Sequence, residues 1–399
     1  MRSMRYQNFQ EGRGMDMGNT KKKKKLAWQQ YIGFGFMLLL GAVCGYIMGL
    51  FLGLSAEDEP LYQGVFALIN IFLGTYIAMY FHIIIHETGH LLFGLMTGYT
   101  FSSFRIGSFM WLNENGKLKL KRLKIAGTSG QCLMIPPDLE NGKIPLVLYN
   151  LGGSFINVAI GAIFLAGYFI LPKIPFVSQL FFMLAIIGFM VAIMNGIPMR
   201  LGTIDNDGYN AFALSKNKEA VEAFWIQLKV NEQTSKGIRI KEMPAQWFEM
   251  PTDEAMQNSM VAARGVLVCN RLMDEEKFED ADILMAHLLE IDSGIVGLHR
   301  NLLHCDRIYV ELIGENRMDV INNMMTKEQQ KFMKSMKRFP SVLRTQYALA
   351  LLFEENTTKA ETIKHEFEKV AKTYPYPHEI DSERDFMEIA NRKVVVKER

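Results

Sequence analysis

Four long uncharged runs fill the first half of the chain, and a dense mixture of charged and apolar positions at helical spacing follows after about residue 210. Tyr31 to Leu54 carries no charge over about 24 residues, enough at 1.5 Å per residue to cross a hydrocarbon core roughly 30 Å thick. Comparable runs occupy Leu61 to about Ile85, Leu146 to Leu171 and Phe176 to Ile197, each bounded by Pro, Lys or acidic residues. The pattern predicts an α-helical polytopic membrane protein with four transmembrane helices, the first an additional amino-terminal one at 31–54. That first run is too long for the apolar part of a cleavable signal peptide, and no small-residue cleavage site follows it, so it reads as a retained anchor.

The segments between and after these runs have different textures. Residues 1–30 are polar with a run from Lys21 to Lys25, which predicts a disordered basic arm. Met4, Met15 and Met17 each offer a start of translation, and no predicted element depends on the residues before Met17. Inside the loop 99–145, Phe104 to Leu112 is apolar and interrupted, Asn113 to Gly116 has turn chemistry, and Lys117 to Ile125 alternates before slipping register at Arg122. This predicts a membrane-associated β-hairpin with a bulge, lying on or dipping into the inner membrane surface because its apolar face has no evident soluble core to join. Past Gly208, positions such as Phe278, Ala281, Leu284, Met285 and Leu288 recur at helical spacing. They predict a C-terminal α-helical soluble domain at 254–399, whose serial helices resemble a degenerate tetratricopeptide solenoid; an irregular bundle fits the same pattern. Residues 213–253, with Gly237, Pro244 and Pro251, read as a connector.

Charge adds orientation. The 44 basic residues against 42 acidic ones leave a net charge of +2, with no global signature of a nucleic-acid binder. The four cysteines, Cys44, Cys132, Cys269 and Cys305, are too far apart in sequence for a zinc knuckle or redox pair, which fits a reducing compartment. Short loops rich in Lys and Arg stay on the cytoplasmic side. Lys21 to Lys25 therefore place the amino end inside, and Glu57, Asp58 and Glu59 place the next connection outside. The basic loop with Arg105, Lys117, Lys119, Lys121, Arg122, Lys124 and Lys143 returns inside, Pro172 to Pro175 turns outside, and the hydrophilic tail is cytoplasmic.

At the end of the second run stands His86-Glu87-Thr88-Gly89-His90, a His-Glu-x-x-His motif. On a helix, residues four apart share a face, so His86 and His90 can offer two imidazoles to one Zn2+ while Glu87 reaches its water as general base. The bland alternative is an interhelical hydrogen-bond network, but a Glu and two His at the edge of a membrane demand partners, and a metal satisfies all three. His82 lies about 12 Å from His90 along the helix axis, too far to share one ion, and reads as a packing or supporting residue.

The fourth run ends in Asn195-Gly196-Ile197-Pro198, followed by Asp205-Asn206-Asp207-Gly208. With the first motif, this resembles the site-2 protease family of intramembrane zinc metalloproteases, over about residues 61–212. The resemblance implies that Asp207 is the third zinc ligand, and Gly152 to Asn157 is similar to the family's Gly-containing motif with a following Asn. The stretch from Pro198 to Asp207 is longer than is usual there, which makes Asp205 a rival; Gly208 favours Asp207, since Gly would ease a sharp turn. Either Asp could instead cap the following helix. Asn157 and Asn195 are candidates for holding an oxyanion or the substrate backbone, with a helix-packing amide the alternative at Asn157.

The expected function is an intramembrane zinc endopeptidase of a bacterial plasma membrane, cutting a membrane-protein or membrane-peptide substrate near the cytoplasmic leaflet. Its helical tail is expected to recruit substrate or a protein partner, with no nucleic acid involved. A non-catalytic membrane adaptor presenting the helical domain is the competing class, and a transporter is disfavoured because four spans lack repeat symmetry. Orientation is open to direct measurement. In a Cys-free background, a cysteine replacing Ser55 is expected to react with an impermeant thiol reagent on intact cells, and one replacing Ser215 only after permeabilisation; labelling of position 215 from outside inverts the topology.

Overall fold

The computed structural model describes residues 17–51, 61–114, 116–125, 128–171, 174, 176–200, 205–215 and 217–397. The acidic connection carrying Glu57 to Glu59, the first sixteen residues and most of the Pro172 to Pro175 turn lie outside them. Four helices are long and apolar enough to cross a membrane: α1 (Met17–Phe51), α2 (Leu61–Met96), α3 (Val147–Ile170) and α4 (Val177–Gly196). Helix α1 begins well before Tyr31, so from Met17 onward the expected disordered arm is helical. Extending an existing helix through Lys residues needs no new nucleus, which is why the basic run follows the apolar one into the same element.

Helix α2 has 36 residues, about 54 Å at 1.5 Å per residue, and so outruns a hydrocarbon core. It stops at Gly98, whose φ of +88° lets Tyr99 N–H return to the Gly94 carbonyl at 3.0 Å. Helices α2, α3 and α4 pack on one another, and α1 leans on α4 through Met48. The crossing of α2 and α3 is close because glycines face each other. A Cβ on Gly89 would sit 2.4 Å from the Gly152 carbonyl oxygen, and one on Gly152 would sit 2.7 Å from the Gly89 carbonyl oxygen.

The loop between α2 and α3 folds as a four-stranded antiparallel sheet, more than the single hairpin expected. The strands are β1 (Thr100–Ile106), β2 (Phe109–Glu114), β3 (Lys117–Arg122) and β4 (Gly130–Ile135), in spatial order β3-β2-β1-β4. Phe104 belongs to β1 and stands opposite both Trp111 and Cys132. The β2–β3 ladder runs without a slip from Phe109 opposite Arg122 to Glu114 opposite Lys117. The bulge expected at Arg122 lies instead between Phe101 and Ser103 in β1.

The sheet also has the core that the sequence did not reveal. Met110, Leu112, Cys132 and Met134 are buried together with Tyr99, Tyr149, Leu214 and Phe224 in a cluster that continues through the C-terminal helices. On the other face, Phe109, Trp111, Leu118 and Leu120 are exposed. From residue 217 onward, the stretch expected as a connector packs into this body. Helix α5 (Asp207–Ser215) leads into α6 (Lys218–Ser235), which packs on α7 (Ser259–Asp274), and Trp225 Nε1 donates to the Pro137 carbonyl at 3.0 Å.

Helix α7 packs on α8 (Phe278–Glu290) and α8 on α9 (Gly297–Ile313). After the short α10 (Met318–Met324) and α11 (Lys327–Ser335), α12 (Pro340–Ala348) returns onto α9. Then α13 (Thr357–Ala371) and α14 (Pro377–Lys397) pack on α12. The tail touches the sheet edge directly, where Arg122 N–H donates to the Thr373 carbonyl at 2.9 Å. All four cysteines are free and buried.

The glycine crossing can be tested by size. Gly152→Val should destabilise the detergent-solubilised protein by roughly 1–3 kcal/mol, since overpacking forces the helices apart. Gly45→Val on α1, where nothing lies within 4 Å of a built Cβ, should not. Equal unfolding midpoints for the two variants would refute the close approach.

Candidate metal centre

The inner face of α2 carries His82, His86, Glu87 and His90, and all four are buried. Asp207, the first residue of α5, meets the two histidines of the motif. His86 Nε2 lies 2.8 Å and His90 Nε2 3.3 Å from Asp207 Oδ2, and the two imidazole nitrogens are 3.2 Å apart. These three side chains form a group that could hold a metal ion. Ligands at roughly 2.1 Å from a tetrahedral ion stand about 3.4 Å from one another, so the observed separations are close to the edges of such a tetrahedron.

The tautomers show why the cluster calls for a cation. His90 Nδ1 is 2.7 Å from the Tyr149 carbonyl oxygen, which can only accept, so Nδ1 carries the proton and Nε2 turns a lone pair to the cluster. His82 Nε2 likewise donates to the Leu184 carbonyl at 2.7 Å. Asn157 bridges His82 and His86, its amide atoms 3.0 Å from His82 Nδ1 and 3.2 Å from His86 Nδ1. With Asn157 Oδ1 towards His82, that ring would donate from both nitrogens and be a cation inside an apolar span, which is costly. A 180° turn of the amide lets Nδ2 donate to His82 and Oδ1 accept from His86 Nδ1–H. His86 Nε2 then also presents a lone pair. Two lone pairs and a carboxylate oxygen converge, and a cation between them removes their mutual repulsion.

Close packing holds each group from behind. A Cβ on Gly153 would lie 2.5 Å from His86 Cε1, and one on Gly130 would lie 2.4 Å from Glu87 Oε1. The start of β4 therefore lies on the Glu87 carboxylate. It is anchored there by Arg105, whose side chain is fully buried and donates to the Gly107 carbonyl, Thr128 Oγ1 and the Gly130 carbonyl at 2.9, 2.6 and 3.3 Å.

Several expected residues take other places. Asp205, the rival ligand, pairs with Arg200 at 3.2 Å, and Arg200 also donates to the Gly294 carbonyl at 2.8 Å, tying the ligand loop to the C-terminal helices. Asn157, a candidate for an oxyanion or for helix packing, has its amide engaged with two imidazoles. Asn195 Nδ2 donates one turn back to the Val191 carbonyl at 3.0 Å and is not among the cluster's partners. Gly208 does not ease a sharp turn. It sits in the first turn of α5, where a Cβ would lie 2.3 Å from the Gly196 carbonyl oxygen, and this approach brings α5 against the end of α4. The capping residue there is Asn206, whose Oδ1 accepts from Tyr209 N–H and Met199 N–H and whose Nδ2 donates to the Met194 and Ile197 carbonyls.

Sequence reasoning missed Asn206, Tyr149 and Arg105. Only Arg105 left a signal, as a charge interrupting an apolar strand; Tyr149 acts through its backbone carbonyl, which any residue carries. Comparison with family models, with curated proteins and with solved structures returns no match for this chain.

After loading with Zn2+ and desalting, Asp207→Ala, His86→Ala and His90→Ala should each lose most of the bound metal, as measured by elemental analysis, whereas Asp205→Ala should keep it. Metal retained in Asp207→Ala and lost in Asp205→Ala would overturn the ligand assignment.

Proposed function

We propose that this protein is an intramembrane zinc endopeptidase of the site-2 protease type, lodged in a bacterial plasma membrane with both termini cytoplasmic. The observation that carries the reading is the convergence of three lone-pair atoms, two of them fixed in tautomer from behind, beside a buried glutamate. His86, His90 and Asp207 would hold the ion. When bound, Zn2+ supplies Lewis acidity toward a scissile carbonyl and lowers the pKa of water at the site. Glu87 takes a proton from the attacking water and passes it to the leaving amine. The Asn157 bridge keeps His86 in its ligating tautomer.

A helical substrate hides its peptide bonds in its own hydrogen bonds and must unwind before attack. The edge strand β4, whose first residue touches Glu87, is the element suited to hold an extended segment by strand addition. The C-terminal helices, in the solenoid reading of their serial packing, recruit substrate or a partner on the cytoplasmic side.

Glu87→Gln keeps the size and hydrogen bonding of the side chain but cannot take the proton. It should bind Zn2+ like the parent and lose at least about 100-fold in cleavage, read by mass spectrometry of membrane peptides from cells carrying each form. Identical peptide sets with zinc bound in both forms would reject the protease and favour the membrane adaptor.

A further inference from the structure

A cavity of about 410 Å3 lies far from the metal cluster in the chain, among the C-terminal helices, and is lined by one face each of α6, α7, α9, α12 and α14. Its size falls within the roughly 300–1,000 Å3 of pockets that hold small ligands, room for a few residues of extended chain. Leu298 and Leu302 of α9, Val266 of α7 and Phe386 of α14 give it apolar walls.

The polar lining is unbalanced. Arg239 donates to both Asp274 and Asp385. Arg344, buried over the rings of Tyr309 and Phe386, is shared by Asp306 and Glu383. Glu379 faces the same space with Tyr374 O–H as its hydrogen-bond donor and has no cationic partner among the described residues. Four lining carboxylates, Asp274, Asp306, Glu379 and Glu383, thus stand against the guanidinium groups of Arg239 and Arg344. His299 adds no charge, since burial pulls it down to about 4, and His378 is half-exposed beside Asp381. Burial, with Glu383 nearby, drives Glu379 up to about 7. Two carboxamides, Asn231 on α6 and Asn270 on α7, are half-buried in the lining with no hydrogen-bond partner among the described residues. A carboxamide offers a donor and an acceptor together, the complement of a peptide group.

We infer that this cavity is a binding site for a short basic peptide in extended form, with Asn231 and Asn270 holding its backbone and Glu379 its cationic side chain. A polyamine would satisfy the charge but leave the two carboxamides unused. The site does not depend on the zinc reading, and it can be tested with the metal absent.

The experiment is calorimetric titration of the full chain in detergent with acetyl-Leu-Lys-Leu-Lys-amide, acetyl-Leu-Glu-Leu-Glu-amide and spermidine. The lysine peptide should bind, at least about tenfold more tightly than the glutamate peptide or spermidine, and more tightly at pH 8 than at pH 6 as Glu379 ionises among Tyr374, Glu383, Arg344, Asp306, Arg239, Asp274, His299 and His378. Glu379→Gln should weaken it about tenfold and remove the pH dependence, and Asn270→Leu should weaken it about tenfold while leaving the pH dependence in place. If Glu379→Gln fails to fold, judged by its thermal unfolding, Asn270→Leu and Asn231→Leu decide. No binding of the lysine peptide, equal binding by the asparagine variants, or spermidine binding as tightly as the peptide overturns the proposal.

Discussion

Two imidazoles and two carboxyl groups at the end of apolar helices are the constraint on which the rest of the structure depends. Buried polar groups in such surroundings cost several kcal/mol each unless they are satisfied. The surrounding fold supplies that satisfaction piece by piece: a carbonyl on α3 for His90, a carboxamide on α3 for His82 and His86, and the first residue of α5 for both histidines. Each partner comes from a different turn, so α2, α3 and α5 must meet at one depth. The glycines at 89, 152 and 153 let them do so without side chains between.

The same constraint explains why the polar half of the chain is not a loose appendage. Asn206 and Arg200 hold the residues on either side of the ligand loop in place. Asn206 ties it to the end of α4, and Arg200 ties it through Asp205 and the Gly294 carbonyl to the turn before α9. The sheet is similarly placed between the two halves. Its buried face shares a core with α6, its β3 edge meets Thr373, and its β4 edge reaches Glu87 through Gly130. A displacement of the C-terminal helices would therefore be transmitted to both Asp207 and Glu87, because the described elements that connect them are packed and hydrogen-bonded.

The two polar sites differ in how they treat charge. Around the cluster one ligand atom each of His86, His90 and Asp207 converges and the rings are fixed from behind, an arrangement suited to one small divalent cation. The cavity in the helical tail has scattered carboxylates, two arginines paired with acids, and two carboxamides along apolar walls. Such a lining suits a larger organic ligand, in which charge and backbone are recognised at separate points.

The four apolar runs, the helical tail and the His-Glu-x-x-His face were legible in the sequence because each is a local periodic signal: length sets a span, and a spacing of four puts two histidines on one side of a helix. Asp207 was reached through a motif, and its neighbour Asp205 could not be separated from it by spacing alone. Only the tertiary structure decided between them, by giving Asp205 to Arg200 and Asp207 to the histidines. The same holds for the sheet. The alternation at Lys117 to Lys121 showed a strand, but β1 and β4 pair across more than twenty residues, and their core includes Leu214 and Phe224, eighty or more residues past Met134. Asn157 shows the limit most clearly. Its place in the sequence left open an amide held ready for substrate or one that packs helices, whereas the direction of its hydrogen bonds depends on a carbonyl of α4, at Leu184, which no local pattern could announce.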